Sequence, residues 1–222
     1  MPMERHDMSS EPCERVQPAM PPPGDPSVER RETLQAVLAL AERCSYEREH
    51  THQVTRLALA LFDELRSLHG LGPTERFWLH CAGLLHDVGV ARGAAGHHKT
   101  ALKIILRASE LPLDPRERLA VASIARYHRK SLPSERHGHF AALDPTDRGR
   151  VAKLAGLLRV ADGLDRSHLS LVRELACQAT PDRVIVRCRV AAPLVAERAA
   201  ALEKGDLFER VYHRKLFIET AA

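Results

Sequence analysis

The sequence lacks several features that assign proteins to common classes. It contains no run of about 18 apolar residues, so no segment is predicted to cross a membrane. Its first residues carry charges and prolines where a secretory signal needs an apolar stretch, and we therefore expect a cytoplasmic protein. Aromatic residues make up only 4% of the 222 residues. The core must therefore come mainly from Leu, Ala and Val, which favours helices.

Cysteine and charge patterns exclude further classes. The five cysteines are scattered and form no Cys-X-X-Cys pair, which argues against a disulfide framework and against a thiolate zinc site. The formal net charge is +4, from Lys and Arg spread along the chain rather than gathered in one tract. Since no basic patch rich in aromatic residues occurs either, we expect no dedicated nucleic-acid binding.

The apolar periodicity divides the chain into three parts. Residues 1–28 are proline-rich and lack a period, and we predict a disordered tail there. Residues 29–170 contain successive stretches at helical spacing, with helix-capping signals at Asp114 and Asp144. In residues 171–222, strand-like alternation around a turn is followed by a helix and a short apolar strand. The predicted fold is mainly α, a helical bundle with a small C-terminal α/β appendage (β-hairpin, helix, short strand).

Two titratable residues lie inside one of the most apolar stretches. The segment CAGLLHDVGV, residues 81–90, reads as a buried helix but contains His86 and Asp87 side by side. Burying an imidazole and a carboxylate costs several kcal/mol unless something compensates them. A compensating group must therefore lie next to His86 and Asp87 in the fold.

Three further helices also carry a titratable residue on their apolar face. These residues are His50, His128 and Asp162, each at helical spacing from buried positions. His52, in contrast, lies about 200° around its helix from the apolar stripe and is expected to face solvent. For His97 and His98 the apolar period does not decide which side chain faces the core, because each begins a plausible apolar stripe.

The convergence of these residues predicts a metal site. One inward histidine or aspartate is more simply a hydrogen-bonded core residue or a cap, and Asp165 beside Arg166 is interpreted in that way. Histidines and aspartates from four helices, however, need a shared compensating charge. Imidazole and carboxylate ligands suit Mn²⁺, Fe²⁺, Ni²⁺, Co²⁺ or Zn²⁺. Without thiolates, the site is expected to be open and catalytic rather than closed and structural.

Three motifs resemble a known signature. The segments EREHTHQV, LLHDVG and LLRVADGLDRS resemble the H…HD…D signature of the HD superfamily of metal-dependent phosphohydrolases. The resemblance implies that the metal ligands are His50, His86, Asp87 and Asp162, and that the bundle is an HD-type domain. It also implies hydrolysis through a metal-activated water that Asp87 could steer, so Asp87 is the catalytic candidate.

The resemblance can be narrowed to one branch. The segment running from HHKTALKIILRASEL to YHRKSLP, together with LFERVYHRKLFIE, is similar to the C-terminal HD region of exopolyphosphatase/guanosine pentaphosphatase (Ppx/GppA) enzymes. Those enzymes hydrolyse the phosphoanhydride in an N-terminal actin-like domain. Here only a short proline-rich tail precedes the HD-like part, so that activity is not carried over to this chain.

Additional residues are implied for a second ion or for phosphate. In two-metal members of the superfamily, further histidines bind the second ion, and the candidates here are His98 and His128, with His97 as a third. Cationic side chains near the ligands could hold substrate phosphates. They are Lys99, Arg129, Lys130 and Arg166.

The function expected from these residues is hydrolysis of a phosphorylated nucleotide or of a polyphosphate-like substrate. The alternative is a non-catalytic HD module that binds polyphosphate or a nucleotide alarmone as a regulatory domain. A third interpretation is that the polar cluster is only structural. In each case an exposed strand edge of the appendage could support a homodimer.

Overall fold

The computed structural model describes residues 26–220, so the predicted tail lies almost wholly outside the described residues. Within them the mainly α prediction is confirmed. None of the described helices is long and apolar enough to cross a membrane. The helices are α1 (Pro26–Arg43), α2 (Arg48–Glu64), α3 (Arg66–His69), α4 (Pro73–Leu85), α5 (His97–Arg107), α6 (Pro115–Arg126), α7 (Gly138–Ala141), α8 (Pro145–Gly163), α9 (Val195–Lys204) and α10 (Asp206–Tyr212).

Local capping explains where two of the central helices begin. The carboxylates of Asp114 and Asp144 each accept a hydrogen bond from the backbone N–H three residues later, and a proline follows each of them. These contacts satisfy a backbone donor that the first helical turn leaves free. Both predicted helix starts are therefore confirmed.

The C-terminal helix was predicted as one element but is two. It breaks at Gly205, between α9 and α10. A Cβ at this position would lie 2.8 Å from the side chain of Leu216 and 3.1 Å from the carbonyl oxygen of Ala201. A side chain at this position would therefore require the end of Leu216 and the backbone of Ala201 to shift.

A three-stranded sheet forms the rest of the appendage. Its strands are β1 (Val172–Ala179), β2 (Arg183–Val190) and β3 (Lys215–Thr220), in the order β1-β2-β3. The β1–β2 hairpin is antiparallel as predicted, whereas β3 pairs parallel to β2, with α9 and α10 forming the crossover. β3 is thus an edge strand, and the homodimer stays a prediction.

The appendage packs directly on the helical core. Helices α2, α4, α6 and α8 surround the apolar centre, β1 lies against α2, and both α9 and α10 lie against α8. The contact between α8 and α9 is close at Gly163, where a Cβ would lie 2.4 Å from Cα of Ala201. The elements of the appendage therefore reach the end of the helix that carries Asp162.

Candidate metal centre

His86 and Asp87 lie just after the last residue of α4, at the centre of the helical core. Nδ1 of His86 donates a hydrogen bond to the carbonyl oxygen of Gly83 at 2.7 Å. The lone pair of the neutral ring is therefore at Nε2. That Nε2 atom and Oδ1 of Asp87 are both buried and have no hydrogen-bond partner among the described residues. A cation between these two acceptors, or a proton on a neighbouring imidazole, would satisfy them.

The same arrangement recurs in three more histidines. Nδ1 of His97 and of His128 lies 2.9 and 2.7 Å from the carbonyl oxygen three residues earlier, and Nδ1 of His50 lies 2.9 Å from Oδ2 of Asp165. Each Nδ1 thus donates a hydrogen bond, which leaves Nε2 of the neutral ring as an electron-pair donor.

The carboxylate of Asp87 lies between two pairs of these histidines. Its Oδ2 is 3.9 Å from Nε2 of His50 and 3.6 Å from Nε2 of His86. Its Oδ1 is 3.1 Å from Nε2 of His97 and 3.4 Å from Nε2 of His128. His50, His86 and Asp87 form one group of potential ligands, and Asp87, His97 and His128 form a second. Within each group, the potential ligand atoms lie within 4.8 Å of one another. Either group could hold a metal ion, and Asp87 belongs to both.

The electrostatics of the cluster fit a bound cation. Nε2 of His97 and Nε2 of His128 lie 3.3 Å apart, so their lone pairs face each other when both rings are neutral. Burial would raise the pKa of Asp87, but the imidazoles of His86, His97 and His128 hold it well below its usual value. Nitrogen and carboxylate ligands of this kind suit divalent transition metals.

Asp162, a predicted ligand, lies at the edge of the cluster and belongs to neither group of three. Its Oδ1 is 3.6 Å from Nε2 of His50, and its Oδ2 accepts a hydrogen bond from Nζ of Lys204 at 2.5 Å. Burial lowers the pKa of His50, but the carboxylates of Asp162 and Asp165 outweigh it and raise the pKa to about 9. Without an ion, protonated His50 and Lys204 therefore balance the carboxylates.

The structure separates the two adjacent histidines at the start of α5. His97 lies in the cluster, whereas the ring of His98 is 5.7 Å from that of His97 and 6.3 Å from that of His128, centroid to centroid. His98 is in neither group of potential ligands. A Cβ at Gly89 would lie 2.1 Å from the carbonyl oxygen of His97, so this glycine lets the segment after Asp87 pack against the start of α5.

A cavity of about 520 Å³ opens beside the cluster. Its lining includes the side chains of Arg129 and Arg166, which the sequence predicts as phosphate-binding residues. Lys99 and Lys130 are exposed and are not part of the lining. A larger, mostly apolar cavity of about 910 Å³ lies between α9 and β3 and includes none of the candidate ligands.

Sequence reasoning missed three residues of this site. Lys204 reaches the cavity from α9. The ring of His168 stacks on that of His50 with centroids 3.8 Å apart, and its Nδ1 bonds to the carboxylate of Glu47 at 2.8 Å. The interpretation of Asp165 as a cap or as a partner of Arg166 omitted its contact with His50. The only sequence signal for this role of Asp165 was its position about one helical turn after Asp162.

A comparison with protein-family models places the chain among known proteins. Residues 31–209 match the model for Ppx/GppA phosphatase, domain III. A comparison with curated proteins gives no match. The match extends from α1 into α10 and so includes every candidate ligand described above. Because it covers well over half of the chain, the protein belongs to the Ppx/GppA phosphatase family, through domain III.

Proposed function

We propose that this protein is a metal-dependent phosphohydrolase of the HD type. The observation that carries the proposal is the half-buried carboxylate of Asp87, which lies between two pairs of histidines whose Nε2 atoms all face it. With neutral rings, the Nε2 atoms and the carboxylate oxygens are all electron-pair donors, and a bound ion would satisfy them together. The ion would be held by His50, His86 and Asp87, and a second ion by Asp87, His97 and His128. Asp162 would join the first set once Lys204 moves away.

Different side chains of the site would have different roles in hydrolysis. A divalent ion of this class lowers the pKa of a water molecule and withdraws charge from a phosphoryl oxygen. The low pKa of Asp87 keeps it ionised, which suits it to hold an ion and to orient the attacking water rather than to store a proton. Arg129, Arg166 and Lys204 would neutralise the phosphate oxygens, on which charge accumulates in the transition state.

The shape of the cavity supports a small phosphorylated substrate. A volume of about 520 Å³ is within the range of pockets that bind nucleotide-sized ligands. Its three cationic side chains favour a ligand with several phosphates, such as a phosphorylated nucleotide or the end of a polyphosphate chain. Among the described residues that line the cavity, Tyr46 is the only Phe, Tyr or Trp, so recognition of a nucleotide base would depend on few contacts.

The second candidate function is a non-catalytic domain that binds polyphosphate or a nucleotide alarmone. The observation that favours it is the contact between Lys204 and Asp162, which compensates one carboxylate of the site without any ion. In that case the cations of the cavity would bind an anionic ligand while the histidines remained ion-free.

Metal content decides between the two functions. We expect elemental mass spectrometry to find one or two transition-metal ions per chain, and Asp87→Ala to lose them. His50→Ala should reduce bound metal, whereas His52→Ala, on the exposed face of the same helix, should not. A phosphate-release screen over nucleotides and polyphosphate would then identify the substrate. Absence of metal from the purified protein, even after addition of Mn²⁺, Fe²⁺ or Ni²⁺, would overturn the hydrolase proposal.

A further inference from the structure

A groove with a cationic lining, named the basic groove, lies between α1, the turn Val90–Arg92 and α5. Its volume is about 290 Å³, and the side chains of Arg92, Lys103 and Arg107 contribute to its lining. It has no lining residue in common with the cavity beside the metal centre. The basic groove is therefore a separate feature of the described chain.

The cations of the basic groove lack a counter-charge from the protein. Arg92, Lys103 and Arg107 are exposed, and their side chains form no ion pair or hydrogen bond with any described residue. Glu110 also lines the groove, but its carboxylate is already paired with the guanidinium of Arg43. Lys103 and Arg107 lie one turn apart on α5, and like charges at this spacing destabilise a helix. The fold thus brings three cations together at some cost.

Apolar side chains form the less exposed part of the basic groove. They include Leu40 of α1, which is buried, and Ile104 of α5, which is half-buried. Thr100 lies one turn before Ile104 on α5 and adds a hydroxyl to the lining. One face of α5 therefore presents cations, a hydroxyl and an apolar group to the same groove.

We propose that the basic groove binds a small oxyanion that carries several negative charges, of the type of a diphosphate group. Arg92 and Arg107 each present parallel N–H donors that match two oxygens of a phosphate, and Lys103 adds a point charge. The hydroxyl of Thr100 can donate one further hydrogen bond. The volume of the groove lies at the lower end of small-molecule pockets, which suits an anion of this size. Scattered surface cations are simply solvated, whereas these three converge on one groove from two elements of the fold.

The anion site does not rest on the proposed hydrolase activity. Lys103 and Arg107 belong to the second half of α5, whereas the candidate ligand His97 is its first residue. An anion can contact these cations whether or not the metal centre holds an ion or hydrolyses a phosphate. The two proposals can therefore fail separately.

The backbone amide NMR signals of the full chain can locate the bound anion. Protein freed of metal ions and phosphate would be titrated with pyrophosphate, in parallel with the double variant Lys103→Gln/Arg107→Gln. The control is Arg66→Gln/Arg210→Gln, which removes two exposed cations that line neither the basic groove nor the cavity of the metal centre. We expect the signals of residues 100–108 to shift in the wild type and in the control. The affinity measured from these signals should fall about tenfold or more in the groove variant, since charge-assisted contacts are lost.

Three results of this titration would overturn the proposal. The first is the absence of shifts in residues 100–108 of the wild type, including the case in which only signals near the metal centre move. The second is an unchanged affinity in the groove variant. The third is an equal loss of affinity in the control, which would indicate a general effect of net charge.

Thermal unfolding separates a lost ligand from a damaged helix. Without pyrophosphate, the groove variant should be at least as stable as the wild type, because it no longer places like charges one turn apart. Pyrophosphate should raise the midpoint of the wild type more than that of the variant. A variant that is clearly less stable without pyrophosphate would show that these side chains support α5 directly, and the proposal would fail.

A titration with ADP identifies the source of the anion. Binding tighter than that of pyrophosphate, with shifts that extend to Leu40, would indicate an organic diphosphate that also uses the apolar part of the groove. Equal or weaker binding would assign the site to the free diphosphate group. Both results support the anion site and differ only in its ligand.

Discussion

The buried carboxylate of Asp165 holds His50 in place. It accepts a hydrogen bond from Nδ1 of His50 at 2.9 Å and another from the backbone N–H of Ser170 at 2.8 Å. These contacts fix the ring so that Nε2 is directed toward Asp87 and Asp162. Partners of this kind set the orientation and the basicity of a histidine ligand. Asp165 is thus a positioning residue for the proposed ion.

Asp165→Asn should weaken metal binding without removing a ligand. The variant keeps an oxygen that can accept from Ser170, but it loses the charge that strengthens the contact with His50. We expect metal affinity to fall about 10–100-fold, which is the usual effect of removing such a partner. The measurement is a titration of ion-free protein with Zn²⁺ or Mn²⁺. Asp63→Asn, exposed near the other end of α2, is the control. Equal affinities for all three proteins would show that His50 is oriented by other contacts.

The two histidines that begin α5 should differ in their effect on metal stoichiometry. His97→Ala removes a residue whose Nε2 lies 3.1 Å from Asp87 and should reduce the bound ions from two to one. His98→Ala leaves both groups of potential ligands complete and should not change the number of ions. Elemental analysis of the two variants, prepared in parallel, gives the result. Loss of an ion from His98→Ala alone would reverse the assignment made here.

Local patterns predicted the long helices of the bundle and the inward positions of four polar residues, His50, His86, His128 and Asp162. The caps at Asp114 and Asp144 depend on neighbours three residues away, so the local sequence is sufficient to predict where these helices begin. The inward position of His50 and the outward position of His52 follow from the apolar period of one helix in the same way.

The rest of the candidate site depends on contacts that no local pattern encodes. Lys204 meets Asp162 across 42 residues because α9 packs on the end of α8. His168 reaches His50 from a loop in which its own φ is positive. The apolar period does not distinguish His97 from His98, and the start of α5 is instead positioned by tertiary contacts such as that of Gly89 with the carbonyl oxygen of His97.

Lys204→Met should impair catalysis more than metal binding. The variant removes one cation from the cavity while it releases Oδ2 of Asp162 from its ion pair. Given the proposed function, we expect kcat/KM for a phosphorylated substrate to fall at least tenfold, about 1.4 kcal/mol of transition-state stabilisation, and metal content to stay equal or rise. Steady-state kinetics and elemental analysis test both parts. Lys99→Met, on the exposed face of α5, should retain activity. A parallel loss of metal in Lys204→Met would assign this lysine a structural role.

Two glycines of α8 should respond in opposite directions to the same substitution. At Gly163 a new Cβ would lie 2.4 Å from Cα of Ala201, so Gly163→Ala must separate α8 from α9 or strain both, at a cost of about 1–3 kcal/mol. At exposed Gly149 nothing lies within 4 Å, and alanine should stabilise the helix by about 0.5–1 kcal/mol. Urea unfolding measures both changes. Since α9 carries Lys204, Gly163→Ala should also lower phosphate-substrate turnover at unchanged metal content. Equal stability of the two variants would show that the contact between α8 and α9 is not close in solution.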